Sequence, residues 1–268
     1  MSEKGKLKNR IYIATMCGHW KEIADKYGVG IELDYFCQAQ NMDGDRGEKV
    51  KAEVAKIVTE KDAKVLHGPF NELFPAAIDP LARELAMKRL TQAAEICHEF
   101  DIKKMVVHSG YVPFNYFKVW HVDRSVEFWK EFMDRQPEDF EICIENVLDD
   151  EPYMMAEMAE RIGDPRVGLC FDVGHANIKG KNGFTNNGRS ETTDQDEWLK
   201  VMAPYLKHLH IHNNYGAGDT HNGFDEGSLD IERILNGVIE RCGEETTITA
   251  ELIAGEGSFE WLREKGFI

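Results

Sequence analysis

Residues 141–172 fall into three consecutive pieces: Glu141-Ile142-Cys143-Ile144-Glu145, then a stretch carrying Met154, Met155, Met158, Ala159 and Ile162, then Gly168-Leu169-Cys170-Phe171-Asp172. The outer pieces are short, aliphatic and followed by polar or turn residues, as strands are. The middle piece repeats its apolar residues at the i, i+3, i+4, i+7 intervals of an amphipathic helix. A strand–helix–strand unit of this size predicts parallel strands joined by a helical crossover.

The unit recurs in both directions. Strand candidates are Ile11–Ala14, Gly30–Asp34, Lys64–His67, Lys104–His108, Glu141–Asn146, Gly168–Asp172, Leu206–His212 and Thr246–Leu252. Between them, helical spacing joins Val50, Val54, Ile57 and Val58; Leu90, Ala93, Ala94 and Cys97; and Ile231, Ile234, Leu235, Val238 and Ile239. Asp79-Pro80 reads as an N-cap with proline in the first turn. No low-complexity linker or change of composition marks a second domain. Eight βα units predict an α/β chain forming a single (β/α)8 TIM barrel domain over residues 1–268. A doubly wound open sheet is the runner-up, and it usually carries a Gly-rich turn after its first strand. Thr15-Met16-Cys17-Gly18-His19 is not such a turn.

Composition narrows the function classes. With 42% hydrophobic and 30% charged residues the chain is ordinary for a globular protein, which excludes disorder and collagen-like repeats. A formal net charge of −16 disfavours a generic polyanion-binding surface. No apolar run approaches the roughly 18 residues of a membrane span, and no signal-type apolar core follows the lysine-rich start. Six scattered cysteines with no CxxC point to a reducing, cytoplasmic setting.

Side chains alternate faces along a strand. Ile142 and Ile144 share a face opposite Cys143 and Glu145; Leu169 and Phe171 oppose Cys170 and Asp172; Leu209 and Ile211 oppose His208, His210 and His212. In a barrel the bulky apolar parity packs beneath the outer helices and the other points inward. His67, His108, Glu145, Asp172, His210 and Glu251 are then expected to point inward at the C-terminal ends of strands three to eight, the rim where barrel active sites are built. Singly, each reads as a rim hydrogen bond, a helix cap or half an ion pair. Together, uncompensated, they would cost on the order of several kcal/mol per ion, and bound metal removes that cost. Asp172-Val-Gly-His175 and Asp219-Thr-His221 add His175, Asp219 and His221, making nine candidate ligands: five histidines and four carboxylates. Two divalent ions would cancel four carboxylates; three would leave a positive field suited to an anionic substrate such as a phosphate ester.

The markers Leu66-His67-Gly68-Pro69-Phe70, Val107-His108-Ser109-Gly110, Ile144-Glu145-Asn146, Phe171-Asp172-Val173-Gly174-His175, Leu209-His210-Ile211-His212-Asn213, Asp219-Thr220-His221, Glu226-Gly227 and Ala250-Glu251 resemble the xylose-isomerase-like barrel superfamily over nearly the whole chain. That superfamily includes endonuclease IV, the family 2 apurinic/apyrimidinic endonucleases, and many sugar isomerases and epimerases. The endonuclease branch implies three ions: one on His67, His108 and Glu145; one on Glu145, Asp172, His210 and Glu251, with Glu145 bridging; one on His175, Asp219 and His221. The isomerase branch implies one ion on Glu145, Asp172, His210 and Glu251, with His175 on the substrate and Glu145 and Glu251 moving protons. Two departures stand out. The loop after strand two, Cys37-Gln-Ala-Gln-Asn-Met-Asp-Gly-Asp45, lacks the bases and aromatics of the DNA-handling branch. Asn213-Asn214-Tyr215-Gly216 stands where the epimerases often carry an arginine.

Around the site, Tyr111, Phe114, Tyr116, Phe117 and Trp120 read as a packed loop or as an apolar wall over the substrate. Lys179, Lys181 and Arg189 lie in a Gly/Asn-rich loop whose composition suggests a mobile lid. Glu32 ends strand two and either approaches the site or forms an ion pair. His208 is expected inside the barrel and His212 behind the ligands. His19, His98 and His121 are taken as structural or surface residues. The expected function is a divalent-metal-dependent isomerase or epimerase of a sugar or sugar phosphate, acting through a metal-stabilised enediolate. The alternatives are a zinc-dependent endonuclease, which alone would bring DNA as a partner, and a binding barrel without turnover. Histidine-rich ligation points to one to three Zn2+ ions, and the carboxylates keep Mn2+ open. No membrane partner is expected, and oligomeric state stays open.

Overall fold

Parallel strands β1 (Ile11–Ala14), β2 (Gly30–Leu33), β3 (Lys64–His67), β4 (Lys104–His108), β5 (Glu141–Glu145), β6 (Val167–Asp172), β7 (Leu206–Ile211) and β8 (Thr247–Ala250) pair in sequence order, and β1 pairs with β8 to close the barrel. The computed structural model describes residues 5–178 and 194–268. Helices α1 (Trp20–Tyr27), α2 (Gly44–Val58), α3 (Pro80–Glu99), α4 (Lys118–Met133), α5 (Pro152–Ile162), α6 (Val173–Asn177), α7 (Gln195–Met202), α8 (Ile231–Arg241) and α9 (Glu256–Lys265) lie on the connections. The sequence-derived strands are all present, most trimmed or shifted by a residue or two; Glu251 stands just beyond β8. Lys179, Lys181 and Arg189 lie outside the described residues. Among the described residues no helix is long and apolar enough to cross a membrane.

The alternation along each strand divides the apolar residues into two separate clusters. Leu66, Ile142, Ile144, Leu169, Phe171, Leu209 and Ile211 join the large cluster between barrel and helices. Val65, Val106, Cys143 and Cys170 form a small cluster inside the barrel, with Tyr12 packed on it. This is the parity read from the sequence, and burial on the outer face is the main drive for closing the sheet. The rest of the interior is polar: Glu32, His208 and Thr249 are fully buried within it.

Caps set where the helices begin. The Asp79 carboxylate accepts from Leu81 N at 2.8 Å, opening α3 with Pro80 in its first turn. Such a cap contributes about 1 kcal/mol. Asp172 does the same for α6, accepting from His175 N at 2.7 Å, so one carboxylate ends β6 and orients the next histidine.

Candidate functional site

Strand register brings the inward ligating types to one rim. His108 of β4 pairs with Glu145 of β5, and Asp172 of β6 with His210 of β7. Glu145 is the hub. Its Oε2 lies 3.3 Å from both His67 Nε2 and His108 Nε2, and its Oε1 lies 3.3 Å from both His175 Nδ1 and His210 Nδ1. His210 Nδ1 is also 3.3 Å from Glu251 Oε1 and 3.9 Å from Asp172 Oδ2. On the far side, Asp219 Oδ2 sits 3.2 Å from His175 Nε2 and 3.1 Å from His221 Nε2. All nine sequence-derived candidates therefore converge, and seven of them line one cavity of about 350 Å³ whose walls include Met16, Asp34, Cys37, Phe70 and Val147. Asp172 and His210 lie fully buried behind it.

The chemistry of these contacts is unusual. Backbone carbonyls, which only accept, hold His67 Nδ1 (Gly68 O, 3.0 Å), His175 Nδ1 (Asn146 O, 3.0 Å) and His221 Nδ1 (Glu251 O, 2.9 Å). Each of those nitrogens carries the proton, so the other nitrogen of each ring is a lone pair in the neutral imidazole. For His67 that lone pair faces Glu145, and for His175 and His221 it faces Asp219. Acceptor meets acceptor at hydrogen-bond distance, which only a positive charge between them relieves: a proton on each ring or a shared cation. Glu145 Oε2, Asp172 Oδ2 and His210 Nδ1 are buried with no hydrogen-bond partner among the described residues. Several trios, such as His67, His108 and Glu145, or Glu145, Asp172 and His175, have ligand atoms within 4.8 Å of one another. The donor set thus fits divalent ions.

Residues 22–265 match the protein family described as the xylose isomerase-like TIM barrel. The chain belongs to that family. This xylose isomerase-like barrel is 28% identical over 185 residues to the uncharacterized protein MJ1311 of Methanocaldococcus jannaschii, an alignment covering 64% of this chain and 58% of that one. It spans about three fifths of the length of the curated relatives it matches, 58% to 62%. Among solved structures it resembles a D-tagatose 3-epimerase-like protein (22% identity, TM-score 0.73, 95% of this chain and 96% of the other). It also resembles the TTHB071 protein of Thermus thermophilus, whose crystal was soaked with zinc chloride (20% identity, TM-score 0.75, 95% and 97%). At these identities the likeness establishes the fold.

Electrostatics separates the two central carboxylates of the barrel. Burial alone would raise the Glu145 carboxyl, but the facing His210 and His108 imidazoles outweigh it and hold it well below the usual range. Burial pushes Glu251 up to about 7, a rise that nearby His210 opposes and Glu145 reinforces. Burial holds His108 down to about 3. For His175 burial works against charge, yet Asp172, Asp219 and Glu145 overcome it and raise the ring well above its ordinary value.

Several roles emerge only in three dimensions. Asn146 clamps Asp172: its Nδ2 donates to Asp172 O and its Oδ1 accepts from Asp172 N, both at 2.9 Å. It points away from the ligand parity, so alternation gave no signal for it. Phe70 stacks on His108 with ring centroids 4.2 Å apart. His212 lies closer in than expected: its Nε2 is 3.2 Å from Asp172 Oδ1 and 3.5 Å from Asp219 Oδ1, and its ring stacks on His221. Glu32 bonds both His208 and His210. In the loop after β4, Tyr111 and Tyr116 pack inward beside His121, while Phe114 and Phe117, with Trp120 in the first turn of α4, are exposed, so the packed-loop reading holds for only part of it. His121 itself is fully buried in α4.

Proposed function

We propose that the chain is a divalent-metal-dependent isomerase or epimerase of a sugar or sugar phosphate, working through an enediolate. The observation that carries this reading is the pair Glu145 and Glu251, which border one small-molecule cavity and each lie 3.3 Å from His210 Nδ1. Proton exchange at a carbon beside a carbonyl needs two such groups, one to take the proton and one to return it. Of the two, Glu251, pushed up to about 7 by burial, lies near the value a proton-transfer group needs at neutral pH, while Glu145 stays ionised. A divalent ion held by Glu145, Asp172, His210 and Glu251 would supply Lewis acidity, polarising the carbonyl and acidifying the adjacent C–H. His175, anchored by Asn146 O, faces the cavity and orients a substrate hydroxyl. Phe70, Met16 and Val147 offer an apolar wall to the C–H face of the ligand. The donor mixture favours Zn2+ and keeps Mn2+ open. The zinc-soaked and epimerase-like neighbours support the reading.

A second reading rests on the other half of the cluster. His67, His108, His175, Asp219 and His221 also converge, as a multi-ion hydrolytic centre for abasic DNA would require. Elemental analysis for metals per chain and a panel of ketoses in heavy water, run beside an abasic-site duplex, separates the two. Solvent deuterium appearing at the carbon next to the substrate carbonyl is the expected result. Duplex incision without any exchange would replace the isomerase with the endonuclease.

A further inference from the structure

Inside the barrel, beneath the rim, a continuous run of hydrogen bonds crosses the space that apolar side chains fill in most barrels. It starts at Lys104, whose Nζ donates to Thr247 Oγ1 at 3.1 Å and to Lys207 O at 3.1 Å. Thr247 Oγ1 lies 2.6 Å from His208 Nδ1, and His208 Nε2 lies 2.9 Å from Glu32 Oε2. Thr249 Oγ1 also donates to Glu32 Oε2, and Glu32 Oε1 lies 3.0 Å from His210 Nε2. Glu32, His208 and His210 have no solvent exposure.

We propose that Glu32 is a positioning residue that keeps the proton of His210 on Nε2 and so keeps Nδ1 free for a metal ion, with Lys104, Thr247 and His208 fixing the sense of the run. This rests on the reading of His210 as a ligand.

Donor and acceptor chemistry sets the direction. The Thr247 oxygen accepts from Lys104, and its hydroxyl proton goes to His208 Nδ1 at 2.6 Å in preference to Lys207 O at 3.4 Å. His208 then carries its proton on Nε2 and gives it to Glu32. The opposite tautomer would set two acceptors, Nε2 and the Glu32 carboxylate, 2.9 Å apart. A carboxylate only accepts, so His210 Nε2 must donate. Without Glu32 the balance would reverse, because the other face of the ring looks onto Glu145 and Glu251, both strong acceptors. A proton drawn to Nδ1 would block ligation. Carboxylates behind ligating histidines are commonly worth about 10- to 100-fold in metal affinity.

Glu32→Gln is predicted to reverse the last link of the run, the one to His210. With its oxygen toward the two donors His208 and Thr249, the amide NH2 faces His210 Nε2, which must then be bare. Zinc affinity, measured by competition with a chromogenic chelator on metal-free protein, should fall about 10- to 100-fold, with native circular dichroism retained. Thr247→Val, which removes the hydroxyl at nearly constant volume, should shift affinity in the same direction by less. Imidazole nitrogen–proton correlation spectra of the zinc-loaded wild type should place the proton of His210 on Nε2; they test the proposal even where Glu32→Gln fails to fold. A proton on Nδ1, or wild-type affinity in folded Glu32→Gln, overturns it while leaving the metal reading intact. A wild type that binds no divalent ion overturns both.

Discussion

Loading the metal-free protein with zinc at neutral pH is expected to expel at least about one proton per chain, the one that His221 holds up to about 9. His67, His175 and His210 are each raised well above the ordinary imidazole value, and His221 is raised to about 9. Burial works against charge on all four, and it is overcome by Glu145 at His67, Asp172 and Asp219 at His175, Glu251, Glu32 and Glu145 at His210, and Asp219 at His221; the Cys37 and Cys170 thiols beside His67 and His210 are themselves raised by burial and carry no charge at neutral pH. At pH 7 without metal His221 is therefore protonated and the other three rings lean toward the protonated form, and each protonated ring must lose that proton to ligate. The sign follows from linkage. Folded values above the unfolded one, about 6.5, give a stabilisation fully present below about pH 6.5 and lost as pH rises through the folded values. For His221 that loss centres on about 9. Zinc runs the other way, gaining roughly tenfold in apparent affinity per pH unit for each proton released. Titration calorimetry in buffers of different ionisation enthalpy reads the proton count directly. A heat that does not change with the buffer, or a metal-free protein that grows more stable between about pH 6.5 and 9, would refute the reasoning.

Other perturbations test separate parts of the molecule. Glu145→Gln should cut turnover by at least about 10²- to 10⁴-fold with native circular dichroism, and retained turnover would remove Glu145 from the mechanism. His121, fully buried and held down to about 4 by burial, should cost the fold stability as pH falls from about 6.5 toward 4, on the order of 3 kcal/mol, because only the unfolded chain then takes up the proton. His121→Phe should flatten that part of the acid limb in urea titrations; an unchanged limb rejects the assignment. A Cβ at Gly174 would stand 1.9 Å from His212 Cε1, so Gly174→Ala should displace that imidazole, cost about 1–3 kcal/mol in denaturant unfolding and weaken zinc binding.

The nine convergent groups were legible because two simple rules act together. Strand alternation fixes which way Glu145, Asp172 and His210 point, and parallel closure puts every strand's C-terminal end at one rim. Asn146 and Phe70 stood within the quoted markers, but their roles were not legible because those depend on the neighbouring strand or loop. Glu32 was legible only as a choice between approaching the site and pairing; the closed barrel makes it do both, through His208 and His210 at once. His212 follows the inward parity of β7, but its closeness to Asp219 depends on how the loop beyond β7 folds back, through the Asn213–Asn222 bridge.

The division of apolar residues into a broad sleeve outside the strands and a handful of contacts within carries an evolutionary consequence. The sleeve holds the architecture, so the inner column is at liberty to drift in chemistry while the scaffold persists. A descendant could exchange one ligand or one buried proton carrier for another and acquire a new reaction without having to reinvent its frame.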